Sequence, residues 1–385
     1  MPKPALKSNE TVFAVRDYDL AATLGCGQAF RWELSAGRWH GVVGSNLVAL
    51  EQRGPSPAPS AAERAEVNCP LHNDASTANS GETRPHPAQE PSAPPTGLGG
   101  RQPSGALQDA ATVHPPPERY CGAGVQNVKL NSANSHPGPL PYGGGGGVIV
   151  ARTVTPQTDW RWLEDYLQIH VDLPAIFATF PQDAPMQIAV ERCHGLRLLR
   201  QEPWECLASF ILSSTKQIVQ IRQIIVRLCE RHGDQNTSFA GEPAFAFPTP
   251  EQIAALSEAQ LRECKMGFRA PYLRAAARRV ADGALDLAGL ARLELAEARA
   301  HLLSLPGVGP KIADCVLLFA CGFPTAFPVD VWVMRALRQF YFRNRRIPLA
   351  RLREFSTTHF GPHGGYAQQY LFHSLRLDQG KKLSH

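Results

Sequence analysis

The feature that most restricts how this 385-residue chain can fold is an abrupt change of composition across residues 54–147. This stretch is rich in Pro, Gly, Ser, Ala and Asn and has few aromatic or β-branched residues. Because such a segment cannot bury enough apolar surface to offset the entropy lost on ordering, we expect a disordered insert. The folded core must then form from the residues on either side of it.

Both flanks of the insert carry the alternation of apolar and polar residues that is typical of β-strands. Residues 11–52 alternate in this way between turn signals, and residues 148–153 read VIVART. Surface loops tolerate long insertions at a small entropic cost. The simplest prediction is therefore one antiparallel sheet that the insert interrupts.

From residue 159 onward the apolar residues recur every three to four positions, which indicates helices. One such run extends without a break over residues 204–233. The predicted fold class is α+β. An N-terminal antiparallel sheet domain (1–53 and 148–195) is followed by a helical bundle domain (196–385).

Cysteine spacing and hydropathy argue against several classes of protein. The nine cysteines form no CxxC pair, and none follows Cys321, so we expect neither a zinc site nor a C-terminal iron–sulfur cluster. No stretch approaches the roughly 18 apolar residues of a membrane helix, and no signal peptide is evident. We expect a soluble protein that does not associate with membranes, in a prokaryotic cytoplasm or, as the second choice, a nucleus.

The positive charge of the chain is concentrated in clusters. The formal net charge is only +5, but residues 335–354 contain seven arginines and one acidic residue. Such clusters suit contacts with the phosphates of a nucleic acid. On charge alone, a solvated helical face explains them equally well.

A glycine-rich turn joins two helix-like runs over about residues 295–322. The turn reads LPGVGP, and its Gly307 and Gly309 permit positive φ angles and a close approach of the backbone to a ligand. The free N–H groups at the start of the second helix favour a phosphate. The turn could equally be a tight structural connection.

Two side chains near this turn are candidates for chemistry. Lys311 lies in the first turn of the second helix and shares a face with Cys315. The positive end of the helix dipole disfavours the ammonium form, and a neutral amine is a nucleophile. Asp330, in the loop at 327–331, either only caps the next helix or also supplies a carboxylate beside the lysine.

These motifs resemble a known family. LPGVGPKIADC followed by PVDV is similar to the helix-hairpin-helix motif and Gly/Pro-Asp loop of the DNA glycosylase superfamily, whose bifunctional branch carries the lysine. Four short segments also resemble the 8-oxoguanine DNA glycosylase family in order and spacing. They are CGQAFRW (26–32), LLRQEPWECLASFILSS (198–214), MGFRAPY (266–272) and GGYAQQYLF (364–372).

The resemblance implies a glycosylase with AP lyase activity that flips and excises 8-oxoguanine from duplex DNA. Lys311 would form a Schiff base with the sugar, and the strand would then be cleaved 3′ to the site by β-elimination. Asp330 would support the sugar cation and the amine. The base pocket would consist of Gly27, whose carbonyl reads N7–H, and of Cys315, Gln368 and Phe372.

The resemblance also implies how the protein would hold DNA. Phe268 matches an aromatic wedge and Arg269 a reader of the unpaired cytosine. Further DNA contacts are expected at Thr215, Lys216, Gly307 and Gly309. No cofactor and no catalytic metal are expected, but a structural K⁺ or Na⁺ is implied at the main chain of Leu303, Leu305 and Val308. We expect a monomer.

Five positions depart from the family pattern, two of which are Thr215, shorter than the family's asparagine, and Pro310, directly before Lys311. Gln220 stands where the family has an arginine that reads cytosine, so the specificity for the opposite base is in doubt. Trp332 and Leu375 replace a histidine that contacts phosphate and its acidic partner. Two alternatives stay open: a glycosylase of the same fold for another damaged base, and a non-catalytic nucleic-acid-binding protein.

Overall fold

The computed structural model describes residues 7–54, 146–214, 217–236 and 243–383, with side chains up to residue 377. The predicted insert, apart from its two ends, lies outside the described residues. Thr215 and Lys216 also lie outside them, so their expected DNA contacts stay predictions.

The N-terminal part of the chain forms one antiparallel sheet with the strand order β1-β5-β4-β3-β2. β4 and β5 flank the insert and pair directly, from Val48 opposite Thr153 to Arg53 opposite Val148. The chain therefore leaves the sheet and re-enters it at neighbouring positions, which confirms the prediction of a single interrupted sheet. The strands are β1 (Ser8–Arg16), β2 (Trp32–Ser35), β3 (Arg38–Val43), β4 (Asn46–Arg53) and β5 (Gly146–Gln157).

A short helix, α1 (Leu20–Gly25), interrupts the region that sequence alternation assigns to strands. The Asp19 side chain caps it by accepting a hydrogen bond from the amide of Ala22 at 2.8 Å. Residues 28–30, also expected in a strand, are irregular. The N-cap chemistry of Asp19 therefore overrides the alternation in this short stretch.

Helices make up most of the remaining described chain, which confirms the α+β class. They are α2 (Arg161–Leu167), α3 (Leu173–Phe177), α4 (Ala184–Arg192), α5 (Pro203–Leu212), α6 (Ile218–His232), α7 (Pro250–Ala255), α8 (Glu258–Glu263), α9 (Ala270–Ala281), α10 (Leu295–Leu303), α11 (Pro310–Val316), α12 (Val331–Tyr341), α13 (Leu349–His359) and α14 (Gly364–Leu383). A small two-stranded ribbon joins β6 (Gln235–Asn236) to β7 (Ala244–Phe245). None of the described helices is both long enough and apolar enough to span a bilayer.

The apolar run at 204–233 is two helices and not one, which corrects the expectation from periodicity. α5 ends before Ser213, whose hydroxyl donates back to the carbonyl of Phe210 at 2.7 Å. α6 then begins with a capping box, in which the Gln220 side chain accepts a hydrogen bond from the amide of Gln217. Gln220, one of the departures from the family pattern, therefore has a structural role at a helix start.

Two apolar clusters form the interior of the folded unit. The first packs the sheet against α2, with Trp32 and Leu163 at its centre. The second occupies the helical part, and α3 and α4 already contribute to it through Leu173 and Met186. The helical core therefore begins in sequence before residue 196, the predicted domain boundary.

Candidate active site

A cavity of about 800 Å³ brings together side chains from both parts of the folded unit. A second cavity of about 730 Å³ is lined by Glu202, Asp234 and Asp286 and so does not suit a polyanion. The first cavity contains most of the residues that sequence analysis proposes for chemistry and base recognition. They are Gly27, Lys311, Cys315, Asp330, Gln368 and Phe372.

The helical hairpin that carries the lysine consists of α10 and α11, as predicted. An ion pair of 2.7 Å between Arg299 and Asp314 joins the two helices. Gly307 has a φ of 79°, and a Cβ at this position would lie 2.4 Å from the Tyr272 ring of α9. Only glycine fits here, because the turn needs both the positive φ and the close approach.

Lys311 lies at the first turn of α11 and points into the cavity. Its Nζ donates a hydrogen bond to Ser213 Oγ at 3.2 Å and lies 4.7 Å from the centre of the Phe210 ring. Among the described residues it forms no ion pair with a carboxylate. A hydroxyl and an aromatic face thus position the amine. Neither is a negatively charged group that would hold the lysine in an ion pair.

Cys315 lies one turn beyond Lys311 and is buried in the wall of the cavity. Burial raises the pKa of its thiol to about 12, although Lys311 nearby acts in the opposite direction. The side chain is therefore a neutral thiol at physiological pH. It offers a base an apolar, polarisable surface and no charge.

Asp330 is placed by its role as the N-cap of α12. Its Oδ1 accepts a hydrogen bond from the amide of Val333 at 2.8 Å, which leaves Oδ2 without a hydrogen-bonded partner in the described chain. Both Asp330 and Lys311 lie close enough to Cys315 to influence the pKa of its thiol. The cap role and the cavity role are therefore compatible, since each uses a different oxygen.

Gln368 and Phe372 lie one turn apart on α14 and face the same cavity. Gln368 is only 4% exposed, and its Oε1 is buried without a hydrogen-bond partner in the described residues. A buried amide oxygen of this kind costs free energy unless a ligand supplies a donor. The geometry therefore suits recognition of a polar base edge beside an aromatic ring.

Gly27 also lines the cavity, with a φ of 88°. The turn is held by Gln28, whose buried amide donates to the carbonyls of Thr23 and Arg197 at 2.7 and 2.8 Å. A Cβ at Gly27 would lie 2.9 Å from Ile218 Cδ1. The polar network thus fixes this turn, and a side chain at Gly27 would be strained by the positive φ and would have to displace the end of Ile218.

Phe268 and Arg269 both lie near the hairpin, but only Phe268 is accessible to solvent. The Phe268 ring is 54% exposed and packs edge-on against Tyr272, the same residue that contacts Gly307. Arg269 is 2% exposed, with its guanidinium 4.3 Å from the centre of the Phe268 ring and donating to the carbonyl of Met266. The wedge role fits the structure, whereas Arg269 can read a base only after it separates from Phe268.

The remaining departures from the family pattern have different environments. Trp332 lines the cavity, and the guanidinium of Arg335 lies 5.6 Å from its ring centre. Leu375 is buried in the core, with 2% exposure. The absent histidine and acid are thus replaced by an aromatic residue at the cavity and an apolar one behind it.

Sequence reasoning missed three residues that the structure places at the site: Phe210, Ser213 and Arg376. Phe210 lies in the last turn of α5 and Ser213 directly follows that helix, and both reach Lys311 only through packing. Arg376 had a detectable signal, because it continues the spacing of Gln368 and Phe372 by one further helical turn. The pattern i, i+4, i+8 puts all three on one face of α14.

Two family models match the chain. Residues 11–207 match the model described as 8-oxoguanine DNA glycosylase, N-terminal domain. Residues 208–357 match the model described as HhH-GPD superfamily base excision DNA repair protein. Together they cover the sheet and the hairpin with both Lys311 and Asp330.

Curated proteins and solved structures agree with these matches. A probable N-glycosylase/DNA lyase of Methanothermobacter thermautotrophicus is 33% identical over 220 residues, which are 52% of this chain and 70% of that protein. An N-glycosylase/DNA lyase of Saccharomyces cerevisiae is 34% identical over 190 residues, or 46% of this chain and 50% of that protein.

The fold is also that of a solved enzyme, a Clostridium acetobutylicum 8-oxoguanine glycosylase/lyase in complex with duplex DNA containing cytosine opposite 8-oxoguanine. The two structures have a TM-score of 0.67 at 23% sequence identity, over 96% of this chain and 98% of that one. At this identity the likeness establishes the fold. The family models that match residues 11–207 and 208–357 show that the chain belongs to the 8-oxoguanine DNA glycosylase family of the helix-hairpin-helix superfamily.

Proposed function

We propose that the protein is a DNA glycosylase with AP lyase activity that excises 8-oxoguanine from duplex DNA. The observation that carries the proposal is that Lys311 and Asp330 share one cavity with Gln368 and Phe372. A binding protein needs neither a half-buried amine nor a nearby carboxylate. The family membership favours the same activity.

The chemistry follows from the two side chains. The neutral Lys311 amine attacks C1′ of a flipped nucleotide, the bond from C1′ to the base breaks, and the base leaves with the electron pair of that bond. The leaving base takes up the first proton that the amine releases. The second amine proton passes to O4′ as the C1′–O4′ bond breaks, which opens the sugar and gives a Schiff base. The released 8-oxoguanine, acting as a general base, then removes a C2′ proton; the C2′–C3′ double bond forms, the C3′–O bond breaks and the 3′ phosphate leaves. Asp330 supports the positive charge on the sugar.

Several secondary features belong to this proposal. The carbonyls of Leu303, Leu305 and Val308 would hold a K⁺ or Na⁺, since backbone carbonyl oxygens can replace the hydration shell of such a cation, and its positive charge would attract a DNA phosphate. The Leu305 carbonyl already accepts from the amide of Val308 at 3.1 Å, which curves the main chain at this position. We place the enzyme with chromosomal DNA, in a prokaryotic cytoplasm or a nucleus.

Sodium borohydride trapping on a panel of duplexes tests the substrate. We expect a covalent adduct with 8-oxoguanine opposite cytosine and none with the undamaged duplex. The ratio of the adduct yield with cytosine opposite the lesion to the yield with adenine measures the opposite-base specificity. It shows whether the protein still prefers cytosine with Gln220 in place of the family's arginine and with Arg269 buried. An adduct that forms only with another damaged base would replace 8-oxoguanine as the substrate and keep the mechanism.

Replacing Phe268 with Ala should weaken lesion binding, because the exposed ring would no longer fill the gap left by a flipped base. We expect a loss of about 10-fold in affinity, the scale of one lost stacking interaction, with little change in thermal stability. Gel-shift titration with an 8-oxoguanine duplex measures it. Ile188→Ala is the matched control, since Ile188 is 46% exposed on α4 and outside the cavity. Equal affinity of both variants would contradict the wedge role.

A further inference from the structure

Arg376 lines the cavity but has no part in the chemistry proposed above. Its Nη1 donates a hydrogen bond to the carbonyl of Cys26 at 3.2 Å, and its guanidinium carbon lies 5.6 Å from the centre of the Phe372 ring. A Cβ built on Gly27 would lie 3.3 Å from Nη1. The guanidinium is therefore fixed between the Gly27 turn and the aromatic wall.

The donors of this arginine are largely unused. A guanidinium has five N–H groups, and in the described chain Arg376 forms one hydrogen bond and no ion pair. Among the described residues, its titratable neighbours are Cys26, Arg222 and His373. Burial, and secondarily Arg376, lowers the pKa of Arg222 and lowers the pKa of His373 to about 4. The cavity wall thus presents a positive donor with which no carboxylate of the described residues, Asp330 included, forms an ion pair.

The damaged base carries hydrogen-bond acceptors that could pair with the free N–H groups of Arg376. The edge of 8-oxoguanine presents the C8 carbonyl oxygen, the N7–H donor and the O6 acceptor in that order. If the Gly27 carbonyl accepts from N7–H, the neighbouring base atoms are both acceptors. In undamaged guanine a C8–H takes the place of the first one, and it cannot accept a hydrogen bond.

We propose that Arg376 donates a hydrogen bond to the C8 carbonyl oxygen of the flipped base and is a specificity-determining residue. This inference rests on the proposed function. Gly27 would then read the proton that oxidation adds at N7, and Arg376 would read the oxygen that it adds at C8. Undamaged guanine would leave the arginine donors unpaired in a closed pocket, which adds to its rejection.

Single-turnover strand cleavage on three duplexes separates this role from others. The duplexes carry 8-oxoguanine, 8-thioguanine or an abasic site, each opposite cytosine. 8-Thioguanine keeps N7–H but has sulfur, a weaker acceptor, at C8. Arg376→Met should slow cleavage at 8-oxoguanine by about 10- to 100-fold, the scale of one hydrogen bond to a charged group. The loss at 8-thioguanine should be smaller, and cleavage at the abasic site should stay within about twofold.

Arg222→Met is the matched control, because it removes a neighbouring positive charge that does not line the cavity. We expect it to leave the ratios among the three substrates unchanged. Abasic-site cleavage by Arg376→Met also shows that this variant is folded. If the Met variant has a lowered Tm, Arg376→Gln, which keeps an amide donor, replaces it and should show an intermediate loss on 8-oxoguanine.

Each other outcome overturns the inference in a recognisable way. An equal loss on the abasic duplex by a folded variant would make Arg376 a phosphate contact. An equal loss on both base-containing duplexes would place its contact at another base atom, and no loss would remove it from recognition. A wild-type protein that cleaves the abasic duplex but not 8-oxoguanine would refute the proposed substrate itself.

Discussion

Lys311→Gln should abolish both the borohydride-trapped adduct and strand cleavage while lesion binding is retained. Glutamine keeps a polar, uncharged side chain at this position, but its amide nitrogen cannot form an imine. In the described part of the chain the hydrogen-bonding neighbours of the Lys311 amine are the neutral Ser213 hydroxyl, at 3.2 Å, and the neutral Cys315 thiol, so its loss leaves no buried charge unpaired. We expect a rate loss of several orders of magnitude, as for removal of a covalent nucleophile.

Trapping gels, cleavage assays and gel-shift titration measure adduct formation, strand cleavage and lesion binding by the wild type and by Lys311→Gln. Lys7→Gln is the control for charge, because Lys7 is exposed just before β1 and outside the cavity. It should trap and cleave like the wild type. Strand cleavage retained by Lys311→Gln would mean that another amine is the nucleophile. Loss of binding together with cleavage would assign Lys311 to DNA contact rather than to chemistry.

The parts of this site that the sequence predicts are those encoded in contiguous motifs. Lys311 and Cys315 are one helical turn apart, so their common face follows from helix periodicity alone. Asp330 sits at a helix start with cap chemistry, and the structure confirms the cap with its bond to Val333. The single sheet across the insert is predictable because strand alternation stops and resumes on either side of it.

What could not be predicted depends on packing between distant segments. Ser213 precedes Lys311 by 98 residues, and nothing in the local pattern of α5 indicates that its hydroxyl meets an amine. Packing also decides the position of Arg269. Its motif suggests an exposed side chain that contacts a base, but in the structure the ring of Phe268 covers its guanidinium. By contrast, the break between α5 and α6 has a sequence signal, because the polar stretch SSTKQ at 213–217 interrupts the apolar spacing.

Asp330→Asn should separate the two roles of this residue. Asparagine caps helices about as well as aspartate, so we expect the hydrogen bond to Val333 and the free energy of unfolding to change little. The negative charge beside the sugar is lost, and excision should slow by on the order of 100-fold or more. Single-turnover excision and thermal unfolding of the same protein measure the two effects.

Asp330→Ala is the companion variant because it removes the cap as well as the charge. It should lose about 1 kcal/mol of stability, the typical contribution of an N-cap side chain, in addition to the same loss of excision rate. If the Asn variant excises 8-oxoguanine at the wild-type rate and only the Ala variant is impaired, Asp330 serves α12 alone. The carboxylate that stabilises the sugar would then have to come from elsewhere in the chain. Slow excision by an Asn variant of unchanged stability places the charge of Asp330 in the reaction, because amide and carboxylate differ there in little else.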